Sequence, residues 1–385
     1  MVTIIITAVQ LTNLTLTNFR SYRQLDLALG PGLTVISGEN GQGKSNLLEA
    51  VYLLAIGKSY RAVTERDLVS WQAAEAGGYT IVAAALEGPQ GALELRVGLD
   101  CREGNSTAKQ VRVNGTPKRT SDLVGMMGAV LFAAEDIELV SGPPSGRRRY
   151  LDVLLAQVSR RYVQTLSRYH RVLAQRNTLL RAMREGRARD EELTFWDDAL
   201  VKEGAVVLSE RRSSMATLAA FIASAFERLS SQDVLSMAYV GTAAEPEDGD
   251  EERALREALR ASRDQERARG MTVVGPHRDD LRLMLNGVEA TRHASRGQAR
   301  LAALAMRLGE ARLLAERRGD QPLLLLDDAL SELDERRRKL VLEEACCYPQ
   351  TIVTTADPHA LPDVFLHAAR HLRVRDGQMT TGEVA

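Results

Sequence analysis

Gly38-Glu39-Asn40-Gly41-Gln42-Gly43-Lys44-Ser45 is the stretch that decides the fold. Glycines at these positions let backbone N–H groups converge on phosphate oxygens, and a lysine and a hydroxyl close the pattern, which is the spacing of a P-loop. Such a loop needs a strand before it and a helix after it. Leu33-Thr-Val-Ile-Ser37 reads as the strand, and the apolar run from Asn46 to Ile56 reads as the helix. In that context Gly38, Asn40, Gly41, Gly43 and Asn46 frame the phosphates of ATP. Lys44 is placed for the β- and γ-phosphates and Ser45 for Mg²⁺.

Working outward, the matching half of the chemistry lies far along the chain. Leu323-Leu324-Leu325-Leu326 describes a buried central strand, and Asp327-Asp328 ends it with two carboxylates. Asp327 is expected in the Mg²⁺ shell. Asp328 is expected to orient or deprotonate an attacking water; an acidic helix cap is the plainer reading of the same residue.

One helix earlier comes Ser295-Arg296-Gly297-Gln298, which resembles the signature loop of ABC-type ATPases. Ser295, the Gly297 N–H and Gln298 would open a helix and form a second anion site, although an ordinary N-cap explains the same residues locally. Two anion sites are redundant in one copy. Across a homodimer, the loop of one copy would cap the γ-phosphate held by the other. Ser331-Glu332-Leu333-Asp334 occupies the place of the D-loop of that class, and also suits an N-cap for a helix starting at Ser331. Relatives of the class usually carry Glu where Asp328 stands, which suggests slow turnover. They also carry a switch histidine where this chain has Thr354-Thr355-Ala356-Asp357, leaving Thr355 to donate one hydrogen bond.

Composition bounds the remaining choices. The chain has 385 residues, a net charge of −1, 44% apolar residues and 4% aromatics, so two or three cores built mainly from aliphatic side chains are expected. A uniformly basic nucleic-acid coat is excluded; a basic surface would be local. Cys101, Cys346 and Cys347 form neither a disulfide framework nor a zinc spacing, which suits a reducing cytoplasm. The apolar opening Met1-Val-Thr-Ile-Ile-Ile-Thr-Ala8 lacks a basic flank and is too short to span a bilayer, so no membrane association is expected.

The first third alternates as strands at Leu11–Asn18, Leu25–Leu29, Tyr79–Leu86, Ala92–Leu99 and Gln110–Val113, the last followed by the hairpin signal Asn114-Gly115. From Tyr150 to about Met183, and again from Thr194 to Leu229, apolar residues recur at helical spacing. Two antiparallel helices of about 35 residues would make an arm of roughly 50 Å. Glu245–Glu252 reads as a solvated acidic loop, Leu281–Gly287 as a strand and turn, and Ala299 to about Arg318 as a helix.

Further strings occur in a fixed order with these motifs: Asn18-Phe-Arg-Ser-Tyr22, Pro144-Ser-Gly-Arg-Arg-Arg-Tyr-Leu-Asp152 and Gly275-Pro-His-Arg-Asp-Asp280. Together, over roughly Leu11 to Arg375, they resemble the bacterial RecF family, short-armed cousins of SMC ATPase heads. The resemblance implies an α/β fold: an ABC/SMC-type P-loop ATPase head with a mixed sheet, plus a short helical arm domain. Its parts would be 1–145 (head), 146–270 (arm) and 271–385 (head). It also implies a weak ATPase acting as a switch, an ATP-dependent homodimer on duplex and gapped DNA, and cooperation with RecR and RecO in loading RecA. By the same resemblance Arg20 faces the adenine end of ATP, or else is a sheet-edge arginine. Arg147–Arg149 stand open between DNA contact and interdomain salt bridges. His277 and Arg278 stand open between a place near nucleotide and a structural turn. The rival readings are a transporter ATPase subunit, a monomeric P-loop kinase and a long-armed SMC protein.

Overall fold

Period-two alternation governs the first third of the chain. In a computed structural model, whose described residues are 8–89, 91–101, 106–331 and 333–381, it becomes sheet. Residues 1–7 of the apolar opening and Glu332 of the expected D-loop lie outside the described residues. The strands before the arm are β1 (Gln10–Phe19), β2 (Tyr22–Ala28), β3 (Gly32–Ser37), β4 (Tyr79–Gly88), β5 (Gly91–Cys101), β6 (Thr107–Val113), β7 (Thr116–Lys118) and β8 (Ala129–Ala133). Those after it are β9 (Leu235–Val240), β10 (Asp280–Leu285), β11 (Val288–Glu289), β12 (Leu323–Asp327), β13 (Gln350–Thr355), β14 (Arg370–Arg375) and β15 (Gln378–Thr381).

The chain forms two compact units: residues up to Asp136 together with those from Met306 onward, and Ile137–Ala305 between them. In the first unit, β2-β1-β4-β5-β6-β7 form an antiparallel sheet, and β15-β14-β3-β13-β12-β8 form a second sheet that is parallel except for the β14–β15 hairpin. The P-loop helix Lys44–Ile56 contacts β1 and β4 of one sheet and β8, β12 and β13 of the other. That position explains its apolar composition: Leu47, Leu48, Val51, Leu53 and Leu54 are all fully buried, with Glu49 a buried exception. Asn114 and Gly115 both take positive φ, 48° and 72°, the type I′ geometry that the sequence pair favours.

The second unit holds the arm and the sheet β11-β10-β9. Its boundaries fall at 136/137 and 305/306, whereas the sequence suggested 145/146 and 270/271. The segments between these limits bring in β10, which pairs with β9 of the arm, and β11, which pairs with β10. The first arm helix is also broken where continuity was expected. Pro144–Val158 ends at Ser159, whose extended backbone (φ −129°) and side chain, accepting from Tyr162 N at 3.1 Å, cap a new helix Arg160–Arg184. Leu193–Leu229 returns as one helix of 37 residues. Glu251 and Glu252, expected in a loop, open the helix Glu251–Ala261 with Asp250 as its cap.

Polar knots pin these helices. Arg176, fully buried, donates to Asp197 at 2.8 Å, Thr272 at 2.7 Å and buried Glu266 at 2.6 Å. Arg211 donates to Asp152 at 2.6 Å and to the Pro276 carbonyl at 2.7 Å. Buried pairs of this kind fix geometry more than they add stability, and breaking one partner leaves a charge stranded. Among the described residues no helix is long and apolar enough to cross a membrane.

Candidate phosphate site and signature turn

The parallel strands bring their C-terminal ends to one edge, where Asp327 stands opposite Thr354 on one side and Ala133 on the other, and Thr355 opposite Ser37. Ligands of open α/β sheets bind beyond such ends. The P-loop leaves β3 at this edge. A Cβ at Gly38 would fall 2.5 Å from the Val374 carbonyl, and one at Gly43 (φ 113°) would fall 2.7 Å from Ser21 Oγ, so both positions require glycine. The loop is braced from outside: Tyr22 donates to the Gly43 carbonyl at 3.0 Å, Asn46 donates to Ser21 Oγ at 2.9 Å, and Gln42 accepts from Asp376 N–H at 2.5 Å. Asn40 and Gly41 are exposed, and the space around Gly41 is open.

Lys44 is buried, its ammonium donating to the Gly38 carbonyl at 2.6 Å and the Glu39 carbonyl at 2.9 Å. Burial lowers its pKa, while the charges of Asp328 and Asp327 act against that shift. Ser45 donates to Asp327 Oδ1 at 2.7 Å across a sequence gap of 282 residues. Tyr60 donates to Asp327 Oδ2 at 2.9 Å, and the Thr354 hydroxyl lies 3.0 Å from Oδ1. A carboxylate and a hydroxyl held together are hard oxygen donors of the kind Mg²⁺ takes alongside phosphate and water, so the residues present fit that ion. A cage of three or more acidic, histidine or cysteine side chains is absent among the described residues, and such a site does not require one.

Asp328 follows with φ 50°, a left-handed conformation that an aspartate adopts at a cost. Its N–H donates to Thr354 Oγ1 at 3.1 Å, which ties the turn to β13. It caps no helix start; the helix after it begins at Glu335 rather than Ser331, with Asp334 as the N-cap accepting from Arg337 N–H at 2.9 Å. Ser331 instead donates to the Asp328 carbonyl at 2.9 Å. Thr355, which the sequence leaves to donate one hydrogen bond in place of a switch histidine, has its hydroxyl engaged at both ends by the Asp357 backbone, and Thr354 is the threonine beside Asp327.

A second cluster around this site was not legible as a motif. Glu49 is fully buried in the P-loop helix and accepts from Arg20 at 2.9 and 2.8 Å, Arg61 at 3.0 Å and Ser59 at 2.5 Å. Burial alone would raise its pKa, but the hydrogen bonds of Arg20, Ser59 and Arg61 outweigh it and hold the carboxyl below its usual range. Arg61 also lies over the Tyr60 ring at 5.3 Å. Arg20 is therefore an ion-pair partner of the P-loop helix. A lone glutamate inside Leu47-Leu48-Glu49-Ala50-Val51 was the available signal.

The signature residues belong to the second unit. Ser295 Oγ accepts from Gln298 N–H at 3.2 Å, and Gln298 Oε1 accepts from Ser295 N–H at 3.0 Å, a reciprocal capping box that opens the helix Arg296–Arg318. Ser295 and Gly297 are exposed, and nothing lies within 4 Å of a Cβ built on Gly297. Gln298 Nε2 lies 3.4 Å from both carboxylate oxygens of Asp233.

The remaining strings are also accounted for inside that unit. Arg147, 4% exposed, forms a two-point pair with Asp280 at 2.8 Å each, and Arg148 donates to the Asp279 carbonyl at 2.9 Å. Arg278 N–H closes a turn on the Gly275 carbonyl at 2.8 Å, and His277 Nδ1 lies 2.6 Å from Tyr169 Oη. Arg147, Arg148, His277 and Arg278 thus all have partners within that unit.

Residues 10–379 match the family model described as the RecF/RecN/SMC N terminal domain. A Chloroflexus aggregans protein named DNA replication and repair protein RecF is 42% identical over 388 residues, covering 96% of this chain and 99% of that protein. A solved structure described as the recombination mediator protein RecF-ATPrS in the RecFOR pathway superposes with a TM-score of 0.87 at 28% identity, over 98% of this chain and 99% of that one. A Pyrococcus furiosus Smc head domain with an extended coiled coil, bound to the C-terminal domain of ScpA, shares the fold at 16% identity and TM-score 0.55, over 98% and 96% of the two chains. The chain belongs to the RecF family, within the RecF/RecN/SMC group, and carries the ABC/SMC-type ATPase head of that group.

Proposed function

We propose that this protein is an ATP-driven clamp on duplex DNA that serves recombinational repair and the maintenance of replication forks. In this reading the two ends of the chain supply the ATPase head, and the stretch between them in sequence supplies the helical arm. Gly38, Asn40, Gly41, Gly43, Lys44 and Asn46 hold the phosphates of ATP; Ser45 and Asp327 hold Mg²⁺, which when bound offsets phosphate charge. Asp328 orients the attacking water. Ser295, Gly297 and Gln298 of one copy close on the γ-phosphate held by the other, and Asp334 lies in the turn that passes between the two sites.

The observation that carries this reading is the exposure of the signature turn. Its hydroxyl and N–H groups start a helix whose N-terminus favours an anion, and open space lies above Gly297. The closed dimer would grip duplex beside single-strand gaps and, with RecR and RecO, promote RecA loading. Slow hydrolysis at Asp328, one methylene shorter than glutamate, would release it.

DNA held through its backbone should bind in a salt-dependent way, with affinity falling steeply between about 50 and 200 mM salt. Binding of a labelled gapped duplex by Asp328→Asn protein loaded with ATP tests this. Tight, salt-sensitive binding that requires ATP supports the clamp. Binding that ignores both nucleotide and salt contradicts it.

A further inference from the structure

The nucleotide motifs leave Arg338 without a task. It lies on the helix Glu335–Ala345, one turn beyond the Asp334 cap, and is half-buried. Its Nε donates to the Leu330 carbonyl at 3.2 Å, one terminal nitrogen donates to the Leu333 carbonyl at 2.9 Å, and the other donates to the Ala360 carbonyl. All three acceptors are main-chain oxygens. Leu330 and Leu333 both follow shortly after the Asp327–Asp328 strand end. Ala360 closes the single helical turn Pro358–Ala360 after β13, where Asp357 caps His359 N–H and holds the Thr355 hydroxyl.

One guanidinium thus joins the two segments that leave the phosphate edge from neighbouring strands. β12 and β13 are in register at Asp327 and Thr354, so both segments begin beside the same carboxylate. A planar, permanently charged fork holds several carbonyls at fixed angles, which a lysine ammonium does less well.

We propose that Arg338 is a positioning residue that makes the backbone at Leu330 and Leu333, before the Asp334 cap, and the 357–360 segment respond to nucleotide as one unit. What that backbone meets after the response rests on the dimer reading given above. A purely stabilising arginine would lower the melting temperature when removed but leave the response to ATP intact.

Hydrogen exchange on the full chain, with and without ATP–Mg²⁺, separates the two possibilities for the parent, Arg338→Met and Arg338→Lys. In the parent, both segments should change protection together on adding ATP. Arg338→Met should keep ATP affinity within about twofold and leave the backbone at Leu330 and Leu333 unresponsive. ATP-driven dimerisation should weaken by about tenfold or more, the scale of losing charge-assisted hydrogen bonds. Arg338→Lys should recover part of the response. The proposal is overturned if neither parent segment responds to ATP, or if Arg338→Met responds as the parent does. Should Arg338→Met not fold, an undiminished joint response in Arg338→Lys overturns it equally. A parent that never dimerises contradicts the dimer reading alone, since the exchange comparison still decides Arg338.

Discussion

The two turns proposed above to face phosphate are built in opposite ways. The P-loop is exposed at its Asn40-Gly41 tip but fastened at its base: Lys44 is buried on two carbonyls, Gly38 and Gly43 are pressed against Val374 and Ser21, and Ser45 is clasped to Asp327. The Ser295 turn is exposed, and its capping contacts come from Gln298 within the same turn. Preorganisation of the first suits a group that must hold nucleotide before anything else happens. Exposure of the second suits a surface completed by another molecule, and in a symmetric assembly that molecule is a second copy.

The contrast breaks most visibly through Asp328. Asp328→Asn should slow single-turnover hydrolysis by about 10²–10⁴-fold, the range for a lost base or water-orienting group, while ATP binding stays near the parent value. Unchanged hydrolysis would remove Asp328 from the reaction. Next in size, Lys44→Ala should weaken ATP binding by calorimetry by about 10–100-fold, the cost of a lost charged hydrogen bond, and leave the Ser295 turn untouched. Equal affinity would mean the walled-in lysine is structural.

Tyr60→Phe sharpens the account of the first turn. It removes the donor to Asp327 Oδ2 and should raise the Mg²⁺ concentration needed for half-maximal nucleotide binding by about three- to tenfold. A shift in ATP affinity at saturating Mg²⁺ would place its role elsewhere.

The smallest effect concerns the arm base. Burial beside Tyr169 and near Arg278 lowers the His277 pKa to about 4 from an ordinary 6.5. The folded state therefore excludes a proton that the unfolded chain takes up. This contribution is complete above about pH 6.5 and is lost as pH falls toward about 4. His277→Gln should flatten the drop in chemical stability between about pH 7 and 5 by about 1–2 kcal/mol. An equally steep drop in the variant would show that His277 is not the group responsible.

Legibility followed chemistry that repeats at fixed spacing. Gly38–Ser45, the four leucines before Asp327 and the Asn114-Gly115 hairpin each declare local geometry through glycine, apolar runs or positive φ. Ser159 and Asp334 show the limit: a single capping side chain moved a helix start or split a helix, and capping residues look alike in sequence wherever they stand. The Glu49 cluster and Arg338 were hidden for another reason. Their partners lie on other elements or are main-chain carbonyls, which carry no sequence signal. Thr354, not Thr355, reaches Asp327 because strand alternation turns neighbouring side chains to opposite faces.

The most direct test of the central claim is solution mass by light scattering, with and without ATP–Mg²⁺, for the parent and for Ser295→Arg. The account predicts that ATP converts the parent from one copy to two. It also predicts that Ser295→Arg still binds ATP but stays single, since the bulky cation fills the turn meant for the other copy's γ-phosphate. A parent whose mass never changes while ATP is bound, or a Ser295→Arg protein that dimerises as the parent does, would contradict it.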